Sequence, residues 1–203
     1  MTPADAWADI EAWLRPNAPA TFASLPEAAG EQGLRSLAAH VGGGVLPAEL
    51  EGALSCHDGS GEFVLPGFHR FSSTDIIRRE YVAWGAADER RIRQLRDKHP
   101  RNPGQYPRPL PGDHPLWHPG WIPVCHDESG SLLFVTHAEG EEAGRVGVFE
   151  HGDGASFPEG PAFGSLTRLL EATAQALRSS SFAIWGGWEP SVDDQGFLEW
   201  REA

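Results

Sequence analysis

The sequence is poor in cysteine, in long apolar runs and in positive charge, and each shortage narrows the possibilities. Only Cys56 and Cys125 occur in 203 residues, far apart and in no CxxC spacing. A disulfide framework is thereby excluded, and a reducing compartment is expected. No stretch approaches the roughly 18 consecutive apolar residues of a membrane span. The N-terminus carries Asp5, Asp9 and Glu11 where a secretory leader would need positive charge and then an apolar run. A cytoplasmic location is the expectation. Lys and Arg number 16 against 29 Asp and Glu, for a net charge of -13 and a pI near 5.0. No basic face for a nucleic-acid backbone or for anionic lipid is expected from such a balance.

What is present suffices for a core. Hydrophobic residues make up 40% of the chain and include eight Trp, so wholesale disorder is not expected. The length suits one domain over residues 1–203 better than two. An acidic surface confers solubility, and it also steers a basic partner across a Debye length of about 8–10 Å. The charge is uneven. Residues 88–116 hold seven of the 16 cations against four acids, which leaves -16 on the rest of the chain. The acidic character therefore belongs to the folded body, with a Pro-rich basic insert at about 97–119.

Local signals divide the chain into helices, then strands, then a helix. Thr2, Pro3 and Asp5 form a capping-box start, and Trp7, Ile10 and Leu14 give an apolar face that Pro16 ends. Leu34, Leu37, Ala38 and Val41 form a second stripe, stopped at Gly42-Gly43-Gly44. A short helix runs from Leu46-Pro47 through Leu50 and Leu54 and closes at Gly59. The chain then turns extended from Phe63 to Phe71. Ser72 with Asp75 reads as a capping box opening a helix with Ile76, Ile77, Tyr81 and Trp84, which continues toward Arg96. His99 to Pro119 holds seven prolines and no apolar period, so it is a loop.

Beyond it, Trp121 to His126 and Leu132 to His137 flank the hairpin signal Asp127-Glu128-Ser129-Gly130. Arg145 to His151 is a third strand, reached through Glu139-Gly140-Glu141-Glu142. Phe163, Leu166, Leu170, Thr173 and Leu177 mark a closing helix. A C-terminal hairpin at about 182–201 pairs Phe182–Trp188 with Phe197–Arg201 around Asp193-Asp194-Gln195-Gly196. This order predicts an α+β fold, with a mixed, largely antiparallel sheet packed by helices.

Candidate chemistry is sparse. Cys56-His57-Asp58 and Cys125-His126-Asp127 repeat one tripeptide, and two Cys with two His match a zinc donor set. Adjacent donors point about 100° apart on a helix and to opposite faces of a strand, so neither pair converges easily on one ion. A Cys–His nucleophile would need a base and an orienting group from elsewhere. The His-Asp dipeptides are similar to those of metal phosphohydrolases, which need further ligands on several helices. Gly42-Gly43-Gly44 lacks the GK[ST] ending of a phosphate loop. No catalytic residue, metal or cofactor is assigned. Trp7, Trp13 and Trp84 belong to helical apolar faces, whereas Trp117, Trp121, Trp185, Trp188 and Trp200 are freer to be surface contacts.

The motif order resembles that of the SUKH superfamily, which includes fungal cell-wall assembly regulators and bacterial immunity proteins. Leu46-Pro47-Ala48-Glu49-Leu50, ending in His57-Asp58-Gly59, is similar to its "LP…L…hdG" helix. Trp121-Ile122-Pro123-Val124 with Asp127, Gly130, Leu132 and Leu133 resembles its "W-x-P-hydrophobic … D-x-x-G-x-x-L" hairpin. Gly144 to His151 resembles the following strand, Phe163 to Leu177 the closing helix, and Asp193 to Trp200 the "edGxLxW" ending. Thr136-His137 stands where the family often has an Asp, and the basic insert is not part of the core pattern.

The resemblance implies a non-enzymatic protein-binding domain. Its partner would be a toxin neutralised by an immunity protein, and a basic toxin domain suits the acidic body. The alternatives are a regulatory or scaffolding protein of the cell-wall assembly type, and a metal-dependent hydrolase using the His/Asp pairs. The expected partner-binding residues are Asp58, Trp117, Trp121, Asp127, Glu128, Glu139, Glu141 and Glu142.

Overall fold

The computed structural model describes residues 1–63, 65–67, 69–98, 117–127, 129–137, 142–150, 154–179 and 187–202. Glu128, Glu139, Glu141, Trp185, His151, most of the basic insert and the first part of the expected C-terminal hairpin lie outside them.

The fold is α+β. Helices α1 (Pro3–Asn17), α2 (Pro19–Ser24), α3 (Glu31–Ala38) and α4 (Ala48–Leu54) come first. Strand β1 (Arg70–Phe71) and the long helix α5 (Thr74–Lys98) follow. A meander of β2 (Trp121–His126), β3 (Leu132–Thr136), β4 (Val146–Glu150) and β5 (Gly154–Ser156) leads to α6 (Leu166–Ser179). The hairpin β6 (Trp188–Val192) and β7 (Leu198–Glu202) ends the chain. The five strands β1 to β5 lie in sequence order, and every described pairing is antiparallel.

The start of α1 follows its sequence. Asp5 N–H donates to Thr2 Oγ1 at 3.2 Å and Thr2 N–H to Asp5 Oδ2 at 2.8 Å, so two orphan donors are satisfied reciprocally. Ala6, Trp7, Ile10 and Leu14 bury one face, which packs against α6. Pro16 sits in the last turn, and the helix closes one residue later than expected.

Both faces of the meander are buried, because the side chains alternate between two cores. Ile122, Val124, Leu133, Val135, Val146 and Val148 face the large core shared with α1, α4 and α6. Trp121, Leu132, Phe134 and Phe149 face a second, aromatic core with Trp117 and Trp84. Between Pro123 and Cys125 the register shifts, a β-bulge at Val124. The extra residue puts Val124 and Cys125 in the same core and turns His126 to the aromatic side, opposite Leu132.

Several expectations are corrected. Trp117 and Trp121 are 2% and 0% exposed and Trp200 is 3% exposed, so these rings are core and not surface contacts. Ser72 does not cap α5; the helix begins two residues later, with Ser73 Oγ accepting from Ile76 N–H at 3.4 Å. Helix α4 ends at Leu54, and Gly59 instead closes a later turn at φ 97°. Phe163 lies in a 3-10 turn, Pro161–Gly164, just before α6. Trp188 opens the first strand of the terminal hairpin, where it was expected to end it. Helix α2 and strand β5 were not anticipated.

The terminal hairpin is seated on α2. Leu198 N–H donates to Thr21 Oγ1 at 2.7 Å, and Ala20 N–H to Gly196 O at 3.1 Å. Asp193 N–H donates to Phe197 O, and counting back along the ladder places Pro190 opposite Trp200 in a pair that exchanges no hydrogen bond. A proline without an N–H is tolerated there.

Candidate functional site

The first turn of α5 is held from both sides by the two Cys-His-Asp segments. Asp58 Oδ1 accepts the Thr74 N–H at 2.7 Å, and Ser60 N–H donates to Phe71 O at 3.0 Å. On the other side Ser72 N–H donates to Val124 O at 2.9 Å, continuing the pairing of β1 with β2. The Ser72 hydroxyl lies 2.8 Å from His126 Nδ1. Ser72 is only 3% exposed, so this bond fixes the imidazole rather than presenting a hydroxyl to solvent.

Anchored in this way, α5 faces the β2–β3 turn across a groove of about 330 Å³. Ile76, Glu80 and Trp84 recur at i, i+4 and i+8 and form the helical wall, with exposed Arg79 beside them. His126, Asp127, Ser129, Gly130 and Leu132 form the other wall. The turn is rigid for a local reason. Asp127 Oδ1 accepts from Ser129 N–H at 2.9 Å and Ser131 N–H at 2.8 Å, while Gly130 takes φ 88°.

Beneath the groove the aromatic core fixes Trp84. Its ring stacks on Trp117 with centroids 5.7 Å apart and meets Phe149 edge-on at 4.6 Å. Trp117 in turn meets Trp121 edge-on, and Trp121 stacks on Phe134 at 4.5 Å. Trp117 and Trp121 thus support the groove from below.

Burial sets the protonation states. It pushes His126 below the usual imidazole value, with Arg70 and Arg79 acting in the same direction and Glu80 and Asp127 against it. His69, buried beside them, is lowered by burial as well, in part offset by Asp127. Burial alone would raise Asp127. Hydrogen bonds from Ser129 and Ser131, with the nearby His69 ring, hold it below the usual carboxylate range. At neutral pH His126 is therefore neutral and Asp127 ionised.

The expected site residues divide. Asp127 lines the groove, Asp58 caps the helix behind it, and Trp117 and Trp121 lie under it. Glu142 is at the opposite end of β3, where it accepts from Arg145 Nη1 at 2.5 Å. The donors of the repeated tripeptide go to separate partners. Cys56 Sγ–H donates to Gly52 O, His57 is bonded to Pro26 O and Glu11, and Cys125 is fully buried. Among the described residues no group of three or more His, Cys, Asp or Glu is placed to hold a metal ion. Also among the described residues, no helix is long and apolar enough to cross a membrane.

Sequence reasoning missed Arg79 and Glu80. The usable signal was Glu80 itself, a charged residue midway between Ile76 and Trp84 on one helical face.

The wider charge is segregated. Residues 1–62 hold nine acids against two arginines, a net -7, and residues 187–202 hold five against one, a net -4. These segments come from opposite ends of the chain and meet where the terminal hairpin rests on α2. No model of a protein family matches the chain, and comparison with curated proteins yields no match.

Proposed function

We propose that this chain is a non-enzymatic protein-binding domain of the SUKH type, an immunity protein that neutralises a basic toxin in the cytoplasm. The observation that supports it most is the charge segregation. Eleven of the 13 net negative charges fall on two segments that adjoin, residues 1–62 and 187–202. An acidic surface accelerates encounter with a basic protein and penalises acidic competitors. A toxin that acts on nucleic acid carries the complementary charge.

The order of elements supports the same reading. A short helix after Leu46-Pro47, the Trp121 hairpin, the closing helix α6 and the terminal hairpin follow one another as the resemblance requires. The test is co-expression with a toxin encoded beside this chain, together with binding of the purified pair across a salt series. Restored growth and a 1:1 complex that weakens as salt rises are the expected results. Absence of both protection and binding would overturn the proposal.

A further inference from the structure

The groove between α5 and the β2–β3 turn has a composition that selects its occupant. Its apolar lining comes from Ile76, Leu132 and part of Trp84, a ring held in place by Trp117. Among the described residues that line it, the charged side chains are Glu80, Asp127 and Arg79, and Arg70 is close enough to act on His126. His126 contributes no charge at neutral pH, since burial disfavours its protonated form. An apolar lining with carboxylates beside it favours a cation carried on an aliphatic stem. The stem lies on Ile76 and Leu132, and the head reaches the carboxylates. A volume of about 330 Å³ accommodates one such side chain.

We infer that this groove is the socket for one arginine or lysine side chain of a basic protein partner. The inference rests on the partner-binding reading above and names one point at which the partner engages. Two features make the socket ready before binding. Trp84 is wedged between Trp117 and Phe149, and the Asp127 carboxylate is immobilised by Ser129 and Ser131. Little ordering is then left to oppose binding. Arg79 is the opposing element. It is exposed and moves aside at small cost, yet it repels a cation at the rim.

The test uses the full chain and defined probes. Nα-acetyl-arginine methylamide and its lysine counterpart are titrated while amide and indole NMR signals are followed. The citrulline analogue, of the same shape but neutral, and acetyl-glutamate methylamide are the controls. The cationic probes are expected to shift the Ser129, Gly130 and Leu132 amides and the Trp84 indole. The arginine and lysine arms then show which head group fits better.

Glu80→Gln should weaken the response about two- to fivefold, and Arg79→Gln should strengthen it by a similar factor. Both positions face solvent at least in part, so a fold check by the spectrum itself suffices. Equal shifts with citrulline, or a glutamate response that Arg79→Gln abolishes, would overturn the inference. If a basic partner binds with salt sensitivity but ignores Glu80→Gln, the socket fails while the partner-binding reading stands. If the arginine probe enters and depends on Glu80, yet no basic protein binds, the socket stands and that reading fails.

Discussion

Asp58 caps a helix that begins 16 residues after it in the chain. Its Oδ1 accepts the first amide of α5, Thr74 N–H, at 2.7 Å, and its Oδ2 lies 3.3 Å from the Thr74 hydroxyl. The Asp58 amide is itself held by Glu27 O at 2.8 Å. The loop after α4 is therefore pinned at both ends of this one residue, and the direction of α5 is set by it. Asp58→Ala should lower stability by about 0.5–2 kcal/mol, the usual range for loss of a helix cap. Asp58→Asn, which keeps an acceptor, should lose much less. Urea unfolding of the three proteins measures both, and equal midpoints would show that Thr74 finds another acceptor.

The parts of the fold that were legible in the sequence are those whose cause is local. Thr2 with Asp5, the Asp127 to Gly130 turn and the Leu166–Leu177 stripe carry their reasons within a few residues. The groove does not. Glu80 and His126 are brought together by a bulge at Val124 and a cap from Asp58, and neither can be read from spacing. Trp117 and Trp121 were misplaced for the same reason. Their Pro- and Gly-rich surroundings suggested exposure, whereas burial came from Trp84 and Phe149, distant in sequence. The Ser72 cap failed because Ser73 stood beside it and Ser72 was claimed by His126.

Gly147 and Phe134 make a second sharp test. They face each other across β3 and β4, and a Cβ on Gly147 would fall 2.6–2.8 Å from the two Cε atoms of the ring. No side chain fits without moving Phe134, which stacks on Trp121. Gly147→Ala should cost about 1–3 kcal/mol by overpacking and should alter the near-ultraviolet circular dichroism of the aromatic core. Adding Phe134→Leu should recover part of the loss, a coupling that a double-mutant cycle detects. Simple additivity of the two changes would mean that the strain is relieved elsewhere.

The two thiols should differ in access and share low reactivity. Burial pushes the Cys125 thiol far up, and Cys56 is raised by burial and then by Glu11. Thiolate is the reacting form, so both should be slow at mildly alkaline pH. Ellman's reagent added to the native protein should label Cys56 slowly and Cys125 only on unfolding. Two thiols should then titrate in denaturant, matching the sequence count. Rapid labelling of Cys125 in the native state would contradict its burial in β2.

The histidines beside the groove make stability depend on pH in a definite direction. His69 and His126 are both held below the ordinary imidazole value of 6.5, chiefly by burial. Around His126 the facing charges are Glu80, Arg70, Asp127 and Arg79, and His69 faces Asp127 and His126. In the unfolded chain each ring takes its proton near 6.5, while in the folded chain it resists until a lower pH. Between those two values the unfolded state binds more protons, so stability rises with pH. The contribution is complete above 6.5 and is lost as pH falls through 6.5 toward the folded values, below which it changes no further. Asp127 adds a separate loss at lower pH, because its depressed value stabilises the fold only while the carboxylate stays ionised. Urea midpoints at about pH 7.5 and about pH 5.5 lie on either side of the unfolded histidine value of 6.5. The midpoint should fall on acidification, the fall should shrink in His126→Gln, and it should shrink again when His69→Gln is added. Gln at position 126 retains a partner for the Ser72 hydroxyl, so the change in slope reports the lost titration rather than the lost bond. An unaltered fall in the double variant would mean that other groups carry the acid response.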